Sequence, residues 1–192
     1  MLKMNTWDAK WDLDEAQCPC DIHFNDWVAA EKLTGKTIYH FGTGTHHVVG
    51  RTQATNGSGN VVFAITASIE EYGAYIKLVT ENAPVARSYL AYFGDIYLTN
   101  TQALPELDVV TLFHLCEFPA PNTASDEYGG LTDLTLTTLL TDRLRPGGHV
   151  LFFTGSFAFL DACKVIAQWE NARLVERICE FKSLLVYRKN ST

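Results

Sequence analysis

Short apolar runs constrain this chain more than any other feature. "TIYHF", "VVFAITA", "LDVVTLF" and "HVLFF" are each of strand length, and none alternates cleanly between polar and apolar residues. Strands buried on both faces have this character, and they belong to parallel sheets covered by helices. Segments with helical spacing separate them. "FNDWVAAEKLTG" predicts a short helix capped by Asn25 and closed by Gly35, and "HHVVGRTQAT" predicts another. In "SIEEYGAYIKLVTENA", Ser68 with Glu71 forms a capping box, Tyr72, Tyr75, Ile76 and Val79 share a face, and Pro84 ends the helix. "SYLAYFGDIYL" holds a further strand that breaks at Gly94.

After the fourth strand comes a breaker-rich loop, "PAPNTASDEYGG", then the helix "LTDLTLTTLLTDRL". "RPGG" turns the chain into the fifth strand, "FLDACKVIAQWENA" is an amphipathic helix, and "RLVERICEF" with "KSLLVYRKN" forms a closing hairpin. Alternating βα units specify an α/β fold. The expectation is a three-layer sandwich around a mostly parallel, seven-stranded, Rossmann-like sheet, with one antiparallel strand from the C-terminal hairpin. Residues 1–24 read as a lead-in or lid, and 25–192 as one domain.

The 192 residues carry a net charge of −7, and no Lys/Arg run occurs. That argues against nucleic acid or an anionic membrane as partner, since both need a positive field. No apolar run approaches the roughly 20 residues that span a bilayer, and the acidic start has no leader character. Five cysteines without framework spacing fit a reducing, cytoplasmic setting. The final hairpin offers an edge for a homodimer.

Three pieces together resemble the class I S-adenosylmethionine-dependent methyltransferases, from about residue 25 onward. They are the "FGTGT" turn after the first strand, "LDVVTLFHL" at the fourth, and "LLTDRLRPGGHVLFF" before the fifth. "YFGDI" is similar to the family's Gly-Asp turn, and "FKSLLVYRKN" to its last strand. The resemblance implies S-adenosylmethionine as cofactor, seated where strand order reverses. It implies cofactor contacts from His40, Gly42, Thr43, Gly44, Thr66, Asp95, Ile96 and Phe113, with Asp95 accepting from the adenine amino group. A small-molecule methyl acceptor is expected, with His114 and Glu117 at the acceptor side as base or orienting pair.

The chain departs from the family pattern at two acidic anchors. His40 stands in the loop acid's place and His46 in the third glycine's place. Thr66 stands where an acid usually holds the ribose, and Glu70 and Glu71 on the next helix are expected to point elsewhere. Losing one charged acceptor weakens binding by about tenfold. A degenerate, non-catalytic relative that binds another ligand or a protein is therefore the alternative.

The histidines at 40, 46, 47 and 114 are expected near one rim, with His47 partly solvated. No dedicated ligand spacing links them, and "CPCDIH" lacks the second half of a zinc motif, so no metal is expected. Cys18 and Cys20 read as buried thiols, and Cys116, Cys163 and Cys179 as core residues. Trp7, Trp11 and Trp27 read as packing, with a lid over the pocket as their functional reading.

Overall fold

The computed structural model describes residues 4–118, 130–172 and 175–190. The elements run α1 (Cys20–Ala30), β1 (Thr37–Phe41), α2 (Val48–Thr55), β2 (Val61–Thr66), α3 (Ile69–Glu81), α4 (Ala83–Ser88) and β3 (Tyr89–Phe93). They continue with β4 (Leu107–Thr111), α5 (Asp133–Arg143), β5 (Leu144–Phe153), α6 (Phe159–Ala172), β6 (Val175–Phe181) and β7 (Leu184–Lys189). One seven-stranded sheet results, in the order β3-β2-β1-β4-β5-β7-β6. The first five strands are parallel, while β7 runs antiparallel between β5 and β6. The expected α/β sandwich is the observed fold. The loop "PAPNTASDEYGG" lies mostly outside the described residues, which end at Phe118 and resume at Gly130.

Side chains alternate across each strand, so each strand feeds two cores. On one face Ile38, Val62, Ala91 and Val109 pack with Phe24, Trp27 and Val28 of α1, Val49 of α2, Tyr75 of α3 and Val85 of α4. On the other, Tyr39, Val110 and Phe152 pack with Leu136 and Leu140 of α5 and Ile166 and Trp169 of α6. Each such side chain stabilises the fold by about 1.5–3 kcal/mol on burial. Trp169 is fully buried, and its indole N–H donates to Thr141 Oγ1 at 2.9 Å, which satisfies its one polar atom.

Several local expectations need correction. α1 begins at Cys20, directly after Pro19, so Asn25 is inside the helix and accepts from Gln53 Nε2 at 2.7 Å. Pro84 does not simply terminate α3; it sits in the first turn of the short helix α4, where its missing N–H costs nothing. "RPGG" belongs to β5, whose register against β4 shifts between Leu107 and Val109. Ile76 is exposed rather than packed. Cys116 is only half-buried, and Cys163 and Cys179 are exposed, because α6 and the edge strand β6 turn these positions outward.

Candidate active site

Strand order reverses between β1 and β4, and a crevice opens past the carboxyl ends of the strands there. It holds a cavity of about 520 Å³. Every parallel strand contributes to its wall: Gly42 and Gly44 after β1, Thr66 at the end of β2, Asp95 and Ile96 after β3, His114 and Glu117 after β4, Ser156 after β5. The turn after β1 requires its glycines, since Gly42 and Gly44 adopt φ of +86° and +53°. The open side of each is filled by an imidazole. A Cβ on Gly42 would lie 3.0 Å from Cδ2 of His114, and one on Gly44 would lie 2.2 Å from Nε2 of His46.

The residues named from sequence fall into two groups. Gly42, Gly44, Thr66, Asp95, Ile96, His114 and Glu117 line the cavity. Thr43 is buried behind the turn and donates its hydroxyl to Glu71 Oε2 at 3.0 Å. His40 and Phe113 are buried in the layer beneath, with ring centroids 6.0 Å apart, and neither is part of the cavity wall. His40 Nδ1 meets Thr111 Oγ1 at 2.8 Å, while its Nε2 makes no hydrogen bond and lies 3.6 Å from Asp21 Oδ1. Burial, aided by the charge of His114, lowers the His40 pKa to about 3, so this ring is neutral.

Glu71 corrects the expectation that both acids of α3 point away. Glu70 is exposed, but Glu71 is buried and turns back to the end of β2. Its carboxylate accepts from Thr66 Oγ1 at 2.6 Å as well as from Thr43, and from the backbone N–H of Trp11. The capping box is thus only half made: Ser68 Oγ accepts the Glu71 N–H, but Ser68 N–H is taken by Thr66 Oγ1. Burial raises the Glu71 pKa against the pull of its hydroxyl donors. An acid therefore does stand beside the glycine turn, delivered by a helix instead of a strand.

His47 is likewise not solvated. Its left-handed backbone, φ +46°, turns the ring inward, where Nδ1 meets the Tyr89 hydroxyl at 2.7 Å and Nε2 the Glu71 carbonyl at 2.9 Å. A carbonyl only accepts, so Nε2 carries the proton and Nδ1 accepts from Tyr89.

The N-terminal segment lies over the crevice. Trp7 N–H donates to the Ala67 carbonyl, Ser68 Oγ donates to the Ala9 carbonyl, and Thr45 N–H donates to the Trp11 carbonyl. Asp95 accepts from Asn5 N–H and from Tyr97 N–H, each at 3.0 Å. Trp7 and Trp11 both stand edge-on to Phe118, at 5.2 and 5.5 Å, and line the cavity. Trp27 instead is core.

Cys18 and Cys20, expected to be plain buried thiols, line the cavity beside His114, and so does Asp21. Cys18 Sγ lies 3.4 Å from Cys20 Sγ. The hydrogen bond from Cys20, with further help from His114, holds the Cys18 thiol below its ordinary pKa, and the same bond raises that of Cys20. Asp21 is raised to about 7 by burial. Burial alone would lower His114, but hydrogen bonds to Cys18 and Glu117 outweigh it and hold the ring near 10, as an imidazolium. The signal for this cluster was the C-x-C itself, which spacing alone could not join to a histidine so distant in the chain.

Among solved structures the fold is shared widely. A S-adenosylmethionine-dependent methyltransferase from Aquifex aeolicus is 14% identical, with a TM-score of 0.59 over 91% of this chain and 93% of that one. An rRNA methylase from Streptococcus thermophilus is 14% identical, with a TM-score of 0.58 over 89% and 97%. The cyclase SpnF is 12% identical, with a TM-score of 0.60 over 98% and 88%. No family model and no curated protein matches the sequence. The structural neighbours include methyltransferases of several kinds, and the chain shares their Rossmann-like fold.

Proposed function

We propose that the chain is a S-adenosylmethionine-dependent methyltransferase of the cytoplasm that acts on a small-molecule acceptor. The observation that carries this reading is the cavity at the strand-order reversal, whose volume of about 520 Å³ lies within the usual range of ligand pockets. Its residues fit the cofactor. Gly42 and Gly44 keep the turn free of side chains of its own, with the rings of His114 and His46 on their open sides, Glu71 supplies an acceptor beside Thr66, and Asp95 with Ile96 forms a further wall. When bound, S-adenosylmethionine supplies an electrophilic methyl group.

The protein's own part is positioning, which lowers such barriers by roughly 7–11 kcal/mol when the reactants are aligned. Glu117 Oε2 holds His114 Nδ1 at 2.9 Å, so the ring presents Nε2 to the cavity. As an imidazolium that nitrogen donates a hydrogen bond, so the ring orients an acceptor oxygen or nitrogen rather than taking its proton. Residues 1–24 serve as the lid of the 25–192 domain, their two tryptophans closing the acceptor side. The net charge of −7 supports a small acceptor over RNA, and five free cysteines support a reducing compartment.

A second reading, a non-catalytic binder, is favoured by the imidazoles seated on both glycines and by the Asn5 N–H held by Asp95. Fold does not fix chemistry, and the cyclase SpnF shares this one. Calorimetry with S-adenosylmethionine and S-adenosylhomocysteine separates the two. Saturable heat is expected for both ligands; no heat at millimolar ligand leaves only the second reading.

A further inference from the structure

The start of α1, the glycine turn after β1 and the turn after β4 converge on one point. There one donor atom each from Cys18, Cys20 and His114 lies within 4.8 Å of the others. We propose that Cys18 Sγ, Cys20 Sγ and His114 Nε2 form a three-ligand zinc site whose fourth position opens into the cavity.

Four observations carry this assignment. The donors are soft thiolates and an imidazole, the set that selects zinc over magnesium or calcium. Two sulfurs each about 2.3 Å from a tetrahedral zinc lie about 3.8 Å apart, against 3.4 Å here. The thiols thus need only a small opening to admit the ion. His114 Nδ1 is held by Glu117 Oε2 at 2.9 Å, the carboxylate–histidine arrangement that orients metal-bound imidazoles and leaves Nε2 as the ligand. Finally, all three side chains line the cavity, and the missing Cβ of Gly42 gives the His114 ring the room to stand there.

A three-ligand site with an open position is the catalytic, not the structural, kind of zinc site. Zinc with two thiolates is also electrically neutral, which suits a half-buried place. The open position takes water or a heteroatom of the acceptor and lowers its pKa as a Lewis acid. His114, its Nε2 committed to the metal, then holds the ion in place, and the proton released by the bound water or acceptor passes to solvent water. The site goes beyond the methyltransferase reading and stands without it, because no cofactor atom takes part in the coordination.

The test is cobalt titration of reduced, chelator-stripped protein in oxygen-free buffer, with no S-adenosylmethionine present. One equivalent of Co²⁺ should bind with a thiolate-to-cobalt charge-transfer band, and zinc should displace it. Cys18→Ser and Cys20→Ser should each diminish the band and their double variant abolish it; the Cys163→Ser/Cys179→Ser pair, both exposed and remote, should leave it unchanged. Glu117→Gln should weaken affinity roughly 10–100-fold while keeping the band. Absence of stoichiometric cobalt in the wild-type protein overturns the proposal, as does a band that survives the Cys18→Ser/Cys20→Ser double variant. Failure of the calorimetry with S-adenosylmethionine would leave this result untouched, so the two proposals fail separately.

Discussion

His47 and Glu71 define what single side chains do in this crevice. Both sit at the entrance of a helix, and both turn inward where the pattern of charges suggested solvent. Burial lowers His47 to about 4 from an ordinary 6.5. Between those values the unfolded chain binds a proton that the folded chain does not, so stability falls as pH drops from 6.5 towards 4. One such proton is worth about 1.4 kcal/mol per pH unit. Urea unfolding of the wild-type protein and of His47→Gln across that window should show the wild type losing more stability on acidification; parallel curves would refute the buried neutral ring. For Glu71→Gln, one charged acceptor is lost at nearly constant shape, and S-adenosylhomocysteine should bind about tenfold more weakly by calorimetry. Neither inward turn could be read from the sequence. The Ser68 N–H that a capping box would offer Glu71 is already satisfied by Thr66, and His47 owes its direction to a positive φ that no spacing encodes.

At the level of elements, the apolar runs marked the five parallel strands well, because a strand buried on both faces cannot hide its composition. The edge strand β6 is legible too, as one arm of the closing hairpin, although it is mostly exposed. The helix α4 is not, because it contains the proline expected to end α3. The site was half readable: the glycine turn, the Gly-Asp turn and His114 converge as expected, but the thiols come from a segment outside the stretch that resembles the methyltransferases. The turn after β1 makes its own demand. Gly44→Ala would place a Cβ 2.2 Å from His46 Nε2 and hold an L side chain at φ +53°. A loss of about 1–2 kcal/mol from the backbone alone is expected in chemical denaturation. The further variant Gly44→Ala/His46→Ala should restore only the steric part, whereas full restoration would show that the backbone is unstrained.

For the whole molecule, the crevice opens past the ends of the parallel strands, and the N-terminal segment lies over it. A ligand that binds only the folded chain adds about 2.7 kcal/mol of stability at a hundredfold excess over its Kd, so thermal unfolding should move upward with S-adenosylhomocysteine if the cofactor reading holds. The acidic surface makes a further expectation. Bulk ribosomal RNA offered with labelled S-adenosylmethionine should gain no methyl groups, and incorporation would redirect the acceptor assignment towards the RNA-modifying neighbours. No described helix is long and apolar enough to cross a membrane.

The ring of His46 rests in the gap that Gly44 leaves, and that arrangement has a use beyond chemistry. A ligand that enters the crevice against this turn meets an aromatic group that carries its own proton resonances. A single imidazole therefore acts as an internal gauge of occupancy, readable in solution before any substrate is known.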